Sequence, residues 1–64
     1  MKFNAPLLSA LRTQRQVTQS ELARALSLSA TTVKSLERGD LDPRLSTLNR
    51  LAEFFKVDPQ DFLI

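Results

Sequence analysis

The stretch TQSELARALSLSATTVKSLER, residues 18–38, carries the pattern of two short amphipathic helices joined by the connector Ser27-Leu28. Thr18 and Glu21 have the spacing of a capping box, in which each side chain satisfies a free N–H group of the other residue. Ser29 is a second N-cap residue, placed where the next helix begins. This spacing fits a helix-turn-helix whose inward positions are apolar: Leu22, Ala23, Leu26, Leu28, Val33 and Leu36.

Further helical segments flank this stretch on both sides. The first begins near Asn4 and runs to about Gln16, and Gly39, the only glycine, ends the third as a left-handed residue. A fourth spans about Leu45 to Lys56, and a short terminal helix spans Pro59 to Leu63. No segment alternates apolar and polar residues as a strand would, so the sequence predicts an all-α fold of five helices. The apolar stripe of the first helix is Leu7, Leu8 and Leu11, and that of the fourth is Leu45, Leu48, Leu51, Ala52 and Phe55.

Length and composition exclude several classes of protein. A chain of 64 residues predicts a single domain over residues 1–64 with one small core. It has no cysteine and no histidine, so we expect no disulfide, no metal, no cofactor and no enzymatic activity. No apolar stretch approaches the roughly 18 residues of a membrane span, and we expect a soluble, cytoplasmic protein without membrane contact. The net charge of +2 is compatible with nucleic acid without requiring it.

The chain resembles the lambda repressor and Cro-type helix-turn-helix family, also called the Xre family, from about Leu8 to Leu63. This resemblance implies a compact five-helix DNA-binding domain whose helix-turn-helix is formed by helices 2 and 3. It also implies double-stranded DNA as the partner, bound at a pseudo-palindromic operator by a homodimer, and a role as a transcriptional regulator, most often a repressor. The matching segments occur in fixed order: Gln19-Ser20-Glu21-Leu22-Ala23, Leu28-Ser29, Leu36-Glu37-Arg38-Gly39, Pro43 and Leu51-Ala52.

The resemblance also implies which residues contact DNA. Gln19 bonds a phosphate, and a set at the start of the third helix faces the major groove if Val33 and Leu36 point inward. Arg38 and Arg44 lie where the family contacts the sugar-phosphate backbone, although Asp40 and Asp42 between them repel phosphates if they face the DNA. The groove-facing set is Ser29, Ala30, Thr31, Lys34 and Ser35. The resemblance places the base-reading positions at Ala30, Thr31 and Ser35, which are small residues in this chain.

Other positions carry structural predictions. The resemblance implies a partly buried ion pair between Arg12 and Glu37 that ties the first helix to the third. Ser27 stands where the family usually has glycine, so we expect a left-handed or bridge conformation there. Arg15 and Arg24 have no motif support and are interpreted as solvated surface. At the apolar C-terminal end, Ile64 is a candidate for a dimer interface, whereas Phe62 and Leu63 are expected to complete the core. Phe54 and Leu41 lie outside the main apolar stripe.

Two alternatives keep the fold but change the function. A protein-interaction module that binds an unknown partner protein is supported by the small residues of the third helix and by the acidic loop. An antitoxin would bind DNA and also neutralise a partner. An enzyme is the weakest hypothesis, because no base lies at a spacing that would activate a nucleophile and the sequence has no Gly-rich phosphate loop.

Overall fold

The computed structural model describes residues 2–64, which form four α-helices and one terminal 3-10 helix. Helix α1 spans Ala5–Gln14, α2 spans Gln19–Ala25, α3 spans Ala30–Arg38, α4 spans Leu45–Phe55 and the 3-10 helix spans Pro59–Phe62. The predicted all-α fold is confirmed. The predicted short terminal helix over Pro59 to Leu63 is present as Pro59–Phe62 but is a tighter 3-10 helix, so the five predicted helices are four α-helices and one 3-10 helix within residues 2–64. None of the helices within residues 2–64 has the length and apolarity needed to cross a membrane.

The helix ends follow the capping residues. The Thr18 hydroxyl accepts from the Glu21 backbone N–H at 3.0 Å, and the Glu21 carboxylate accepts from the Thr18 backbone N–H at 2.8 Å. Asn4 and Ser29 cap α1 and α3 through their side chains. Gly39 ends α3 with φ +79°. These predicted caps are confirmed. Those at Thr18 and Ser29 fix where α2 and α3 begin.

Three residues other than glycine take left-handed backbone conformations. Gln16 has φ +58°, and α1 therefore ends at Gln14, two residues before the predicted end. Ser27 has φ +56°, which confirms the expectation for a serine where glycine is usual. Lys56 has φ +60° and ends α4. Each such residue costs about 1 kcal/mol relative to glycine, a strain that the surrounding packing must offset.

One core is shared by all the elements. Helices α1 and α2 both pack against α3, and α4 packs against the terminal 3-10 helix. Leu28 of the connector and Leu11 of α1 are partly buried against the same core. The predicted inward residues of α2 and α3 are buried, which positions α3 against two helices at once. The largest side chains with almost no exposure are Phe55, Phe62, Leu8, Leu22, Leu36, Leu51 and Val33.

The predicted stripe of α4 is wrong at its first member. Leu45 is 71% exposed, whereas Leu48, Leu51 and Phe55 are buried. Leu45 is the first residue of α4, so its side chain lies at the rim of the core rather than in it. Helical spacing identifies a face, but it does not show how far along the helix that face is covered.

Residues 2 and 3 pair with residues 63 and 64, a contact that no sequence pattern indicates. Phe3 and Leu63 form an isolated antiparallel bridge, and the Ile64 backbone N–H donates to the Lys2 carbonyl at 2.8 Å. The rings of Phe3 and Phe62 stack with centroids 5.7 Å apart. Phe62 is fully buried and Leu63 is half-buried against the core, as expected. The N-terminal segment thus covers one side of the core.

Arg15 is not simply solvated surface. Its Nη2 donates to the Phe55 carbonyl at 2.9 Å, and its guanidinium lies 5.8 Å from the centre of the Phe55 ring. The carbonyls of the last turn of a helix lack partners within the helix, and a cation there also complements the helix dipole. Arg15 is therefore exposed, as interpreted, and it also joins the end of α1 to the end of α4 through a bond that the sequence does not indicate.

Candidate nucleic-acid interface

The connector sets the angle at which α3 leaves α2. The left-handed Ser27 reverses the chain, and its backbone N–H donates to the Arg24 carbonyl at 3.2 Å. The Leu28 backbone N–H donates to the Ala23 carbonyl at 2.8 Å. Because Leu28 also packs on the core, the start of α3 is held by backbone bonds and by apolar contact together. The orientation of α3 is therefore fixed by the fold.

One face of α3 is exposed and polar. Val33 and Leu36 are buried, and on the opposite side Thr31, Lys34 and Arg38 are exposed at the spacing of one helix face. The two predicted base-reading positions that complete this face, Ala30 and Ser35, are half-buried. We define the outer face of α3 as Ala30, Thr31, Lys34, Ser35 and Arg38.

Ser29 lies at the edge of this outer face, but its hydroxyl is already used. It accepts from the Thr32 backbone N–H at 3.1 Å and lies 2.8 Å from the Thr32 hydroxyl, with which it shares a hydrogen bond. The spacing of three residues between Ser29 and Thr32 is the signal that could have identified this pair in the sequence. Ser29 thus caps the start of α3, in addition to the DNA contact predicted for it.

Gln19 lies beside the predicted ion pair. Arg12 Nε donates to Glu37 Oε2 at 2.5 Å, and Arg12 Nη2 donates to Glu37 Oε1 at 3.2 Å, so the pair is bidentate. Gln19 Nε2 donates to the same Glu37 Oε1 at 3.3 Å. Arg12 Nη1 also donates to the Val17 carbonyl at 2.8 Å. The structure brings the start of α2, the end of α1 and the end of α3 together at one carboxylate. The contact between Gln19 and Glu37 was not predicted from the sequence.

The two backbone-contact arginines have different surroundings. Arg38 Nε lies 3.2 Å from Asp40 Oδ2, and both side chains are exposed. Arg44 is exposed at the N-cap position of α4 and makes no side-chain capping bond. Asp42 lies between them and is also exposed. The segment from the end of α3 to the start of α4 therefore presents two arginines and two aspartates at the surface, and one arginine is already paired.

The residues of the outer face offer hydrogen-bonding groups and charges that suit recognition of a polar surface. Within residues 2–64, no group of three acidic side chains is placed to hold a metal ion. The outer face supplies two hydroxyls, two methyl groups and two cations at the spacing of one helix side. An exposed polar helix face of this kind, held by a preceding short helix across a tight connector, defines a helix-turn-helix domain of the DNA-binding type.

The chain belongs to the helix-turn-helix family HTH_3, whose sequence profile matches residues 8–62. An HTH-type transcriptional regulator of Methanocaldococcus jannaschii, itself uncharacterized, is 36% identical over 53 residues, which are 83% of this chain and 80% of that protein. The family match therefore extends from within α1 to the end of the terminal 3-10 helix.

Solved structures give the same result for the fold. The P22 c2 repressor, crystallised with a synthetic operator, superposes with a TM-score of 0.90 over 98% of this chain and 96% of that one, at 19% identity. The restriction-modification controller protein C.AhdI from Aeromonas hydrophila superposes with a TM-score of 0.83 at 27% identity, over 92% of this chain and 89% of its own. The lambda repressor-like architecture is thus shared with known regulators.

Proposed function

We propose that this DNA-binding transcriptional regulator is a repressor that binds a pseudo-palindromic operator as a homodimer, with α3 in the major groove. The observation that carries the proposal is the outer face of α3, where Thr31, Lys34 and Arg38 are exposed while the other side of the same helix is buried. A major groove about 12 Å wide admits one α-helix presented in this way. Residues 1–64 act in this proposal as one domain, with the helix-turn-helix at about residues 18–38.

Base recognition in this proposal depends on small side chains and one lysine. Ala30 and the Thr31 methyl group are suited to contact thymine methyl groups, and Lys34 is the residue able to reach a guanine. Ser35 adds a hydroxyl that bonds any base edge. With few direct base contacts, the sequence-dependent shape of the DNA supplies part of the discrimination. We therefore expect the operator to have few positions at which only one base pair is accepted.

Backbone contacts in this proposal come from residues around the outer face. Gln19 contacts a phosphate from the start of α2, where its amide bonds Glu37, and Arg38 and Arg44 contact phosphates from the end of α3 and the start of α4. Ser29 faces the groove at the start of α3. Arg38 must leave Asp40 or share its guanidinium to do so. Because contacts to phosphates carry no sequence information, they set the register of the protein on the duplex.

Dimerisation is the second part of the proposal. Ile64 is 69% exposed, and a large apolar side chain in that position gains from being covered by a second copy. Sedimentation of the native chain and of Ile64→Asp should show a dimer that weakens in the variant. A monomer at all concentrations of the native chain would contradict this part.

The proposal includes a cytoplasmic location, where the DNA of bacteria and archaea lies, and no enzymatic activity.

Selection of binding sites from a random duplex library, at about 0.1 M salt, tests the function. We expect inverted repeats with centres about 10 base pairs apart, because this spacing places two copies of α3 on one face of the duplex. Lys34→Ala should weaken binding to the selected site. Arg50→Ala is the matched control, since it removes an exposed cation from α4 instead of α3.

Other outcomes of the same selection have defined meanings. No enriched motif, with only weak and salt-sensitive retention of duplex, would contradict the proposal and favour the protein-interaction module. A selected motif that Lys34→Ala and Thr31→Arg leave unchanged would show that the outer face of α3 is not the reading surface. An enriched site together with a tightly bound partner protein would favour the antitoxin.

A further inference from the structure

The carboxylate of Glu37 is held in place from two sides. Both of its oxygens accept from Arg12, at 2.5 Å and 3.2 Å, and Arg12 is itself fixed to the Val17 carbonyl at 2.8 Å. The Glu37 side chain is only 7% exposed and that of Arg12 only 18%. The carboxylate therefore cannot rotate without breaking bonds to a mostly buried guanidinium.

Gln19 is the third member of this group. Its Nε2 donates to Glu37 Oε1 at 3.3 Å, and the residue is half-buried. A carboxylate only accepts hydrogen bonds, so the amino end of the Gln19 amide, and not its oxygen, must face Glu37. An unbonded glutamine has both amide orientations and several rotamers available. The bond to Glu37 removes this freedom.

The group is also neutral towards DNA. Glu37 alone would place a negative charge beside a phosphate, but the charge of Arg12 compensates it at hydrogen-bonding distance. The Gln19 nitrogen carries a second N–H besides the one donated to Glu37. A phosphate oxygen also only accepts hydrogen bonds, so a nitrogen held with one N–H towards Glu37 has the correct end of the amide available for it.

We propose that Glu37 is a positioning residue, which fixes the side-chain amide of Gln19 so that it donates to a DNA phosphate. The inference rests on the proposed function and adds a role that the ion pair would lack if it only joined α1 to α3. The pair of Arg12 and Glu37 then determines the affinity for DNA through Gln19. A fixed donor loses less conformational freedom on binding than a mobile one.

A double-mutant cycle distinguishes positioning from a structural role. Gln19→Ala is measured in the native chain and in the Arg12→Met/Glu37→Met background, where two apolar side chains replace both charges together and leave neither buried alone. The readout is the dissociation constant for a fluorescein-labelled duplex carrying the selected site. Thermal melting verifies that each variant is folded.

The expected result is a loss of affinity of about tenfold for Gln19→Ala in the native chain. In the Arg12→Met/Glu37→Met background the loss should be less than about twofold. An equal loss in both backgrounds overturns the inference, because Gln19 would then act without Glu37. No loss in a native chain that binds the selected duplex also overturns it and leaves the proposed function standing. Absence of duplex binding by the native chain overturns both.

A measurement on the native chain tests the inference if the Arg12→Met/Glu37→Met variant does not fold. Side-chain amide relaxation by NMR should show the Gln19 NH₂ group as rigid as the backbone, and the exposed Gln60 side chain as mobile. Equal mobility of the two groups would overturn the inference.

Discussion

The two arginine–carboxylate pairs at the end of α3 use the same chemistry in different surroundings. Glu37 and Arg12 lie on the inner side, where their side chains are 7% and 18% exposed. Arg38 and Asp40 lie on the outer side, where theirs are 68% and 62% exposed. A mostly buried pair is costly to break from one side, whereas an exposed pair contributes little and is screened by salt.

The comparison shows how adjacent residues of one helix serve different purposes. Glu37 joins three elements of the fold, and Arg38 is available for exchange between Asp40 and a phosphate. Burial, not charge, makes the difference, because the two pairs have the same formal groups. Substitutions on the inner side should therefore change stability, and those on the outer side should change DNA binding.

Arg12→Ala should lower the free energy of unfolding by about 3 kcal/mol, because it leaves the Glu37 carboxylate mostly buried without its partner. Urea unfolding followed by circular dichroism measures this change. Arg24→Ala is the matched control, since Arg24 is an exposed helix arginine, and its effect should stay within about 0.5 kcal/mol. Equal midpoints and slopes for Arg12→Ala and the native chain would show that the inner pair does not stabilise the fold.

Asp40→Asn should tighten binding to the selected duplex by about threefold at about 0.1 M salt, because Arg38 no longer shares its charge with a carboxylate. The free energy of unfolding should change by less than about 0.5 kcal/mol. Fluorescence anisotropy titrations give the affinity, and the gain should shrink at about 0.5 M salt.

The control for this prediction is Asp42→Asn in the same loop. It removes the same charge, but Asp42 forms no ion pair within residues 2–64. A smaller gain for Asp42→Asn than for Asp40→Asn supports competition between Asp40 and phosphate for Arg38. Equal gains would attribute both effects to the overall charge of the loop.

Much of the fold could be predicted from local signals. The capping box of Thr18 and Glu21, the Ser29 cap and the left-handed Gly39 each depend on residues within one helical turn. Such interactions repeat at fixed spacing, so sequence alone identifies them. The left-handed Ser27 was predicted by comparing one position with the family pattern.

The contacts that sequence missed join distant parts of the chain. The bond between Gln19 and Glu37 spans 18 positions, and that from Arg15 to the Phe55 carbonyl spans 40. No local spacing indicates such pairs, because they depend on how whole helices pack. The prediction of a core position for Leu45 failed for the same reason. The DNA contacts of Ala30 and the rest of the outer face stay predictions.

A third carboxylate sharpens the comparison, because Glu21 is exposed like Asp40 and yet firmly hydrogen-bonded. The Thr18 backbone N–H, and secondly the Thr18 hydroxyl, hold the pKa of Glu21 below its ordinary value of 4.5. With the pKa lowered in the folded state, the stabilisation is present above about pH 4.5 and is lost as pH falls through the folded-state value.

Glu21→Gln keeps a capping side chain but removes the titrating group. The native chain should therefore lose more unfolding free energy than Glu21→Gln between about pH 6 and about pH 3, measured by urea unfolding at each pH. This is the smallest of the three effects, since one exposed hydrogen-bonded acid contributes it. Parallel pH profiles for the two proteins would show that Glu21 titrates alike in the folded and unfolded chains. Exposure alone, and not hydrogen bonding, would then determine how much a carboxylate contributes to the unfolding free energy of this protein.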